Sequence, residues 1–212
     1  MSSVVLNDRT IVYGVNQLSS IDPILKRLFS GFDIPKLKIE TNYFWSLCRS
    51  IIYQQISGKA AKTISDRFLA LFSSGINIKP REVLDIDINN LYSAGLSRQK
   101  ASYMKNIAEA YERKLINNEN LLLMNDEEIL KLLTMIKGVG RWTAEMFLIF
   151  TLRRSDVFPV TDLGVQKGFQ IVYSLDETPT INYMNETAKK WEPYRTIVTL
   201  YLWYAVEGPF KW

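Results

Sequence analysis

The chain has 212 residues, 47% hydrophobic and 23% charged, which suits a soluble globular protein with one large core or two small ones. A formal charge of +4 and a sequence pI of about 9.0 favour an acidic partner but are equally compatible with a solvated surface. A single cysteine, Cys48, excludes an internal disulfide framework and a four-cysteine iron–sulfur cluster, and the absence of histidine leaves carboxylates, lysines or tyrosines to carry any catalysis.

No N-terminal segment has the charged start and apolar core of a signal peptide, and no apolar run is long enough to span a membrane. The expectation is an intracellular protein without a membrane partner, cytoplasmic in a prokaryote or nuclear in a eukaryote. There is no internal repeat and no long Gly/Ser/Pro linker, so any two subdomains should pack directly together.

Residues 3 to 13, SVVLNDRTIVY, hold two β-rich pieces around Asn7 and Asp8, predicting a short N-terminal β-hairpin or extended arm. Helical signals dominate from there. Asp22-Pro23 opens a helix to about Phe29, and a loop containing Pro35 follows from Gly31 to Glu40. From Tyr43 a longer helix runs through FWSLCRSIIYQQIS with Phe44, Cys48, Ile51 and Ile52 inward, and Gly58 interrupts it. The next helix, KAAKTISDRFLALF, carries Ala61, Ile64, Phe68 and Phe72 on one stripe. In LYSAGLSRQKASYMKNIAEAY, Gly95 ends a turn and Ser97 can cap a helix whose first residues include Arg98 and Lys100, read from charge pattern as solvated.

The stretch around Ile136 to Asp162 is the most informative. Asn125 with Glu128 reads as a capping box, and Ile129, Leu132, Leu133 and Ile136 give that helix an apolar face that stops at Gly138. Gly138-Val139-Gly140 allows a tight reversal, after which Val139, Thr143, Met146, Phe147 and Phe150 form the inner face of a second helix. The pattern is a helix-hairpin-helix, whose exposed N–H groups can approach an anion such as a DNA phosphate; the alternative is a turn between packed helices. Arg153 and Arg154 suit the second helix's negative pole, and a loop with Pro159 delivers Thr161 and Asp162 to the next helix start. Leu163 to Tyr173 is a further helix, and Leu175 to Thr180 a turn. Pro193 can open a final helix, YRTIVTLYLWYAV, ended by Gly208 and Pro209, so the architecture is nearly all α.

The run LLTMIKGVGRWTAE resembles the hairpin of the helix-hairpin-helix DNA glycosylase superfamily. With FWSLCRSIIYQQISGKAA, LYSAGLSRQKASYM and WEPYRTIVTLYLWY, the chain resembles the alkylbase group, the 3-methyladenine DNA glycosylase II type, over roughly residues 20 to 207. Two departures stand out: Lys137 where the family hairpin often has proline, and an N-terminal arm too short for the β-rich domain of the larger bacterial members. The resemblance implies two helical subdomains with a central cleft, expected at 1–42 with 157–212 and at 43–156, the latter carrying the hairpin at about 129–152.

The resemblance also implies roles. Asp162 falls where the superfamily keeps its catalytic carboxylate, although an aspartate there can equally be an ordinary helix cap. Trp142, Trp203 and Tyr204 would supply the π-faces that receive a flipped base, and cation–π attraction would favour alkylated purines with a formal positive charge. Gly138, Val139, Gly140, Arg141, Thr143 and Ser97 would contact DNA, and one of Gln54, Gln55 and Ile56 would fill the space left by the base. Carbonyls of Thr134, Ile136 and Val139 match positions that hold a monovalent cation, Na or K, in the family; no other cofactor is expected.

Bifunctional members of the superfamily have a lysine two residues beyond the second hairpin glycine, whose amine attacks C1′. Trp142 stands there, and an indole forms no imine. The expectation is a monomeric, monofunctional glycosylase that hydrolyses the N-glycosidic bond of alkylated bases in double-stranded DNA. Its rivals are a non-catalytic helix-hairpin-helix DNA-binding protein and a helical protein-interaction module.

Overall fold

The computed structural model describes residues 4–56 and 58–208, and its helices follow the order α1 (Asp8–Ile21), α2 (Pro23–Ser30), α3 (Tyr43–Tyr53), α4 (Gly58–Leu69), α5 (Pro80–Asp85), α6 (Ile88–Ser93), α7 (Arg98–Glu112), α8 (Asn118–Leu123), α9 (Asp126–Thr134), α10 (Arg141–Phe150), α11 (Leu163–Val172), α12 (Ile181–Ala188) and α13 (Arg195–Glu207). The fold is all α, with one isolated antiparallel bridge, Val5 to Arg154, and no sheet among the described residues. Ser3, Ser57 and Pro209, which enter the sequence expectations, lie outside the described residues. No helix of the described residues is long and apolar enough to cross a membrane.

The N-terminal β-hairpin is corrected. Asn7 is not a turn residue but the N-cap of α1: its side chain accepts the Thr10 N–H at 3.0 Å, and the Thr10 hydroxyl accepts the Asn7 N–H at 2.7 Å. Ile11, Gly14 and Leu18 then share the buried face at helical spacing. Of the predicted arm, Val4 to Leu6 does pair: the Leu6 N–H donates to the Arg153 carbonyl at 2.7 Å and the Ser155 N–H to that of Val4 at 2.9 Å.

The chain divides into two compact units, Met1–Lys38 with Leu148–Trp212, and Ile39–Phe147. The junctions fall after 38 and 147, where the sequence expectation set them after 42 and 156. The second lies inside α10, where no breaker residue marks it.

In the unit of residues 39–147, α3 packs against α4 and α7, and Trp45 stacks on Phe68 at 5.6 Å in a core that includes Phe44, Cys48, Ile51 and Met104. Two sequence expectations fail here. Helix α3 ends at Tyr53, before the QQIS segment, and Gly58 begins α4 instead of interrupting a longer helix. Lys100 meets that helix end. Its half-buried ammonium, expected to be solvated, donates to the carbonyls of Ile52 and Gln54, both at 2.8 Å, at the helix end. The chain then turns through Gln55 in the left-handed region at φ +57°, a conformation that costs a non-glycine residue on the order of 1 kcal/mol.

In the other unit the core gathers Leu6, Ile11, Leu25, Phe169, Trp191 and Tyr201. Asp22, buried at 2% exposure, caps α2 and takes the Tyr173 hydroxyl at 2.7 Å and the Lys190 ammonium at 2.9 Å. Burial alone would push this carboxyl up, yet those donors and the Ile24 N–H hold it below the ordinary carboxylate range. Helices α11 and α13 pack through two glycines four residues apart. A Cβ on Gly168 would sit 2.2 Å from the Leu202 carbonyl oxygen, and one on Gly164 would sit 2.9 Å from Cδ1 of Trp203. Only hydrogen at both positions lets the helices approach this closely.

Candidate active site and nucleic-acid interface

The hairpin joins α9 to α10. The capping box at Asn125 and Glu128 opens α9 as the sequence predicts, but α9 ends at Thr134, and Ile136 and Lys137 belong to the turn. Gly138 has φ +107°, and a Cβ there would meet the Tyr103 ring at 2.1 Å. Gly140 differs: its φ is ordinary and a Cβ would meet nothing within 4 Å. One glycine makes the turn, and the other leaves its outer surface open.

Side chains from elsewhere in the same unit hold the turn by its carbonyls. The Gln54 amide donates to the Gly138 carbonyl at 3.2 Å and to the Thr143 hydroxyl at 2.8 Å, and the Asn106 amide donates to the Lys137 carbonyl at 2.9 Å. The Val139 N–H donates to the Ile136 carbonyl at 2.9 Å. The amides at the start of α10 have no acceptor in their own helix and carry its positive pole, the arrangement that suits a phosphate. Arg141, at that pole, pairs with the buried Glu145 at 2.9 Å and is largely exposed.

The predicted DNA contacts separate in this unit. Thr143 is buried at 1% exposure and serves the hairpin, as does Gln54. Gln55 and Ile56 are exposed at the turn beyond α3. Ser97 caps α7, its hydroxyl accepting the Lys100 N–H at 3.2 Å. Trp142 is half-buried in the first turn of α10, and Lys137 is exposed.

In the other unit, Asp162 is the N-cap of α11. Its Oδ1 accepts the Val165 N–H at 2.8 Å and the indole N–H of Trp203 at 2.8 Å. Two N–H donors and the positive end of α11 therefore meet its charge. Trp203 stacks on Phe150 at 5.8 Å with 17° between the planes, and Tyr204 lies 5.9 Å from both Phe32 and Tyr201. Burial pushes the Tyr204 phenol pKa up, and Tyr201 to about 12. Asp162 and Trp203, 41 positions apart, are thus in direct contact.

Sequence reasoning missed Gly164, which permits that contact. Its absent Cβ leaves room for the indole and for Oδ1 of Asp162, 3.1 Å from where the Cβ would be. The G-x-x-x-G spacing of Gly164 and Gly168 was the available signal. Lys100, Tyr103 and Asn106, all on α7, were likewise missed as hairpin and turn supports.

A backbone turn that presents helix amides, together with a carboxylate fixed at a helix N-terminus beside stacked aromatics, defines a helix-hairpin-helix protein equipped for chemistry on DNA. Residues 48–193 match the HhH-GPD superfamily of base excision DNA repair proteins, and the chain belongs to that family. It is 36% identical over 190 residues, 88% of this chain and 83% of the relative, to DNA-3-methyladenine glycosylase 1 of Schizosaccharomyces pombe. Among solved structures, the 3-methyladenine DNA glycosylase Mag1 of the same yeast, in complex with abasic DNA, superposes with a TM-score of 0.86 at 34% identity, covering 94% of this chain and 100% of that one. A DNA-3-methyladenine glycosidase from Bacillus halodurans superposes at 0.79 and 32% identity, covering 97% and 93%.

Proposed function

We propose that this protein is a monofunctional DNA glycosylase of base excision repair that flips alkylated purines out of duplex DNA and hydrolyses their N-glycosidic bond. The observation that carries the reading is the Asp162 carboxylate, fixed on Oδ1 by the Val165 amide and the Trp203 indole, in a chain of this family. The names of the relatives support the same substrate class.

In this reading the hairpin binds DNA through phosphate, without selecting sequence. Extrusion of the nucleotide brings its base against the π-faces of Trp203 and Tyr204, where a positively charged alkylpurine is favoured by cation–π attraction, and Trp142, at the start of α10, is a further candidate stacking residue. As the C1′–N bond breaks, electrons pass to the base, which is neutralised and leaves without needing a general acid. Positive charge develops on the sugar beside Asp162 and is stabilised by the carboxylate. Water adds to C1′ and loses a proton, with Asp162 orienting it or accepting that proton. The abasic strand stays unbroken.

The reading also includes a monovalent cation held by backbone oxygens of Thr134, Ile136 and Val139. These are neutral, hard donors, from the last residue of α9 and from the turn that follows it, which suits such an ion. When bound it adds positive charge near the phosphate contact, and no step of the chemistry runs through it.

The decisive experiment is release of free base from a methylated duplex, measured beside duplexes carrying hypoxanthine or ethenoadenine. Release of 3-methyladenine or 7-methylguanine supports the proposal. Binding without release from any of the three substrates overturns it in favour of a non-catalytic DNA-binding protein.

A further inference from the structure

Helix α7 supports two separate surface features of its unit. At its N-terminal end the Lys100 ammonium spans the Ile52 and Gln54 carbonyls, the point where the chain leaves α3 for the Gln55–Ile56 turn. One turn along the helix, the Tyr103 ring fills the space that a Cβ on Gly138 would occupy. A further turn along, Asn106 holds the Lys137 carbonyl. The Gln54 side chain completes the link, because the residue whose carbonyl Lys100 holds is also the one whose amide binds Gly138 and Thr143.

Electrostatics single out Lys100 among these contacts. A cation at the C-terminal pole of α3 meets the partial negative charge of that pole as well as two carbonyl lone pairs. Two bonds at 2.8 Å fix the direction in which the backbone departs, and Gln55 then continues in a left-handed conformation that an unrestrained chain would relax. Partial burial draws the Lys100 pKa below that of an ordinary lysine.

We infer that Lys100 is a positioning residue for base extrusion: by clamping the carbonyls of Ile52 and Gln54 it sets the Gln55–Ile56 turn at a fixed place relative to the hairpin. The turn can then enter the minor groove while the hairpin holds phosphate. This rests on the reading of Gln55 and Ile56 as the residues that fill the space vacated by the base. A wedge must push against a fixed support to unstack a base pair, an event that demands a few kcal/mol of the complex.

The test separates gripping from extruding. Lys100→Met keeps the aliphatic stem and removes the charge and both donors, Lys100→Arg restores charge and donors, and Lys100→Gln keeps only an amide donor. Each full-length variant is compared with the parent for affinity toward undamaged duplex, for fluorescence of 2-aminopurine beside an abasic-site analogue, and for single-turnover release of base from a methylated duplex. Expected for Lys100→Met is affinity for undamaged duplex within about twofold of the parent, a lost fluorescence rise, and base release slowed about tenfold or more. Lys100→Arg should recover most of both signals. Should Lys100→Met fail to fold, Lys100→Gln carries the same comparison.

Unchanged fluorescence and release in a folded Lys100→Met overturn the inference. So does a parallel loss of undamaged-duplex affinity, which would make Lys100 a general prop of the unit, and so does failure of Lys100→Arg to rescue. A parent protein that gives the fluorescence rise but releases no base would instead contradict the glycosylase reading and leave the positioning test intact.

Discussion

The two units present opposite kinds of surface. The unit of residues 39–147 offers backbone: side chains of Gln54 and Asn106 take up hairpin carbonyls, while the first amides of α10 carry its positive pole. The unit built from both chain ends offers side chains: the Asp162 carboxylate is held by an indole that reaches it only because Gly164 and Gly168 let two helices close together. Binding that is blind to sequence needs a rigid backbone and no particular side chain. Bond cleavage needs a specific charge at a fixed place. Changes at the carboxylate and its glycine supports should therefore affect excision while changes at the hairpin glycines affect affinity, and each variant below tests that division.

The largest effect is expected at the carboxylate. Asp162→Asn preserves the shape and an oxygen that can accept from Val165 and Trp203, and asparagine is as good an N-cap as aspartate. What it removes is the negative charge. Base release should fall by about a hundredfold or more while duplex affinity stays within about twofold. Single-turnover release and a binding titration on the same duplex check this, and a fully active variant would remove Asp162 from the mechanism.

A smaller effect, of geometry instead of charge, is expected at Gly164. The Cβ of Gly164→Ala would lie 2.9 Å from Trp203 Cδ1 and 3.1 Å from Asp162 Oδ1, so the indole and carboxylate must shift by a few tenths of an ångström. Misplacement on that scale should slow excision about tenfold with little change in affinity. A crystal structure of the variant together with its release rate checks both parts. Normal activity despite a displaced indole would show that Trp203 does not set the carboxylate's position.

Sequence and structure agree where signals are local. The capping box of α9, the positive φ at Gly138 and the N-cap at Asp162 all depend on residues within a few positions of one another. The misreadings follow the same logic. Asn7 serves a turn or an N-cap equally well, and β-branched Thr10, Ile11 and Val12 favour strand; Leu18, beyond Tyr13, completes the helical face. Helices α5, α6 and α8 have six residues each, too few to display a period. The supports of the site were hidden for another reason. Lys100 acts on carbonyls 46 and 48 positions away and Gln54 on a carbonyl 84 away, and no sequence pattern links a lysine or glutamine to a backbone oxygen.

On the gripping side, the two hairpin glycines should behave differently. Substitution of Gly138 strains a left-handed backbone and drives a Cβ into the Tyr103 ring, so its loss of binding would be mixed with loss of fold. Gly140 has open space outside it and an ordinary φ, which makes Gly140→Val the cleaner probe. The variant should fold like the parent and weaken damaged and undamaged duplex alike by severalfold, since the isopropyl group blocks approach to phosphate only. Parallel titrations of the two duplexes check this. Selective loss for damaged DNA would place the hairpin in lesion recognition and break the division between the units.

The smallest expected effect is none at all, and it concerns what is left on the DNA. An imine at C1′ requires an amine that reaches the sugar, and the position where bifunctional relatives of the superfamily supply one is Trp142. The lysine nearest the hairpin, Lys137, is exposed, and its backbone carbonyl accepts the Asn106 amide. Lys100 is engaged with two carbonyls. Borohydride present during turnover should therefore trap no covalent protein–DNA adduct, and the product strand should remain intact until alkali cleaves it. An adduct abolished by mutating a single lysine would show that this unit contributes a nucleophile as well as a grip, and the separation of roles between the two units would have to be redrawn around that residue.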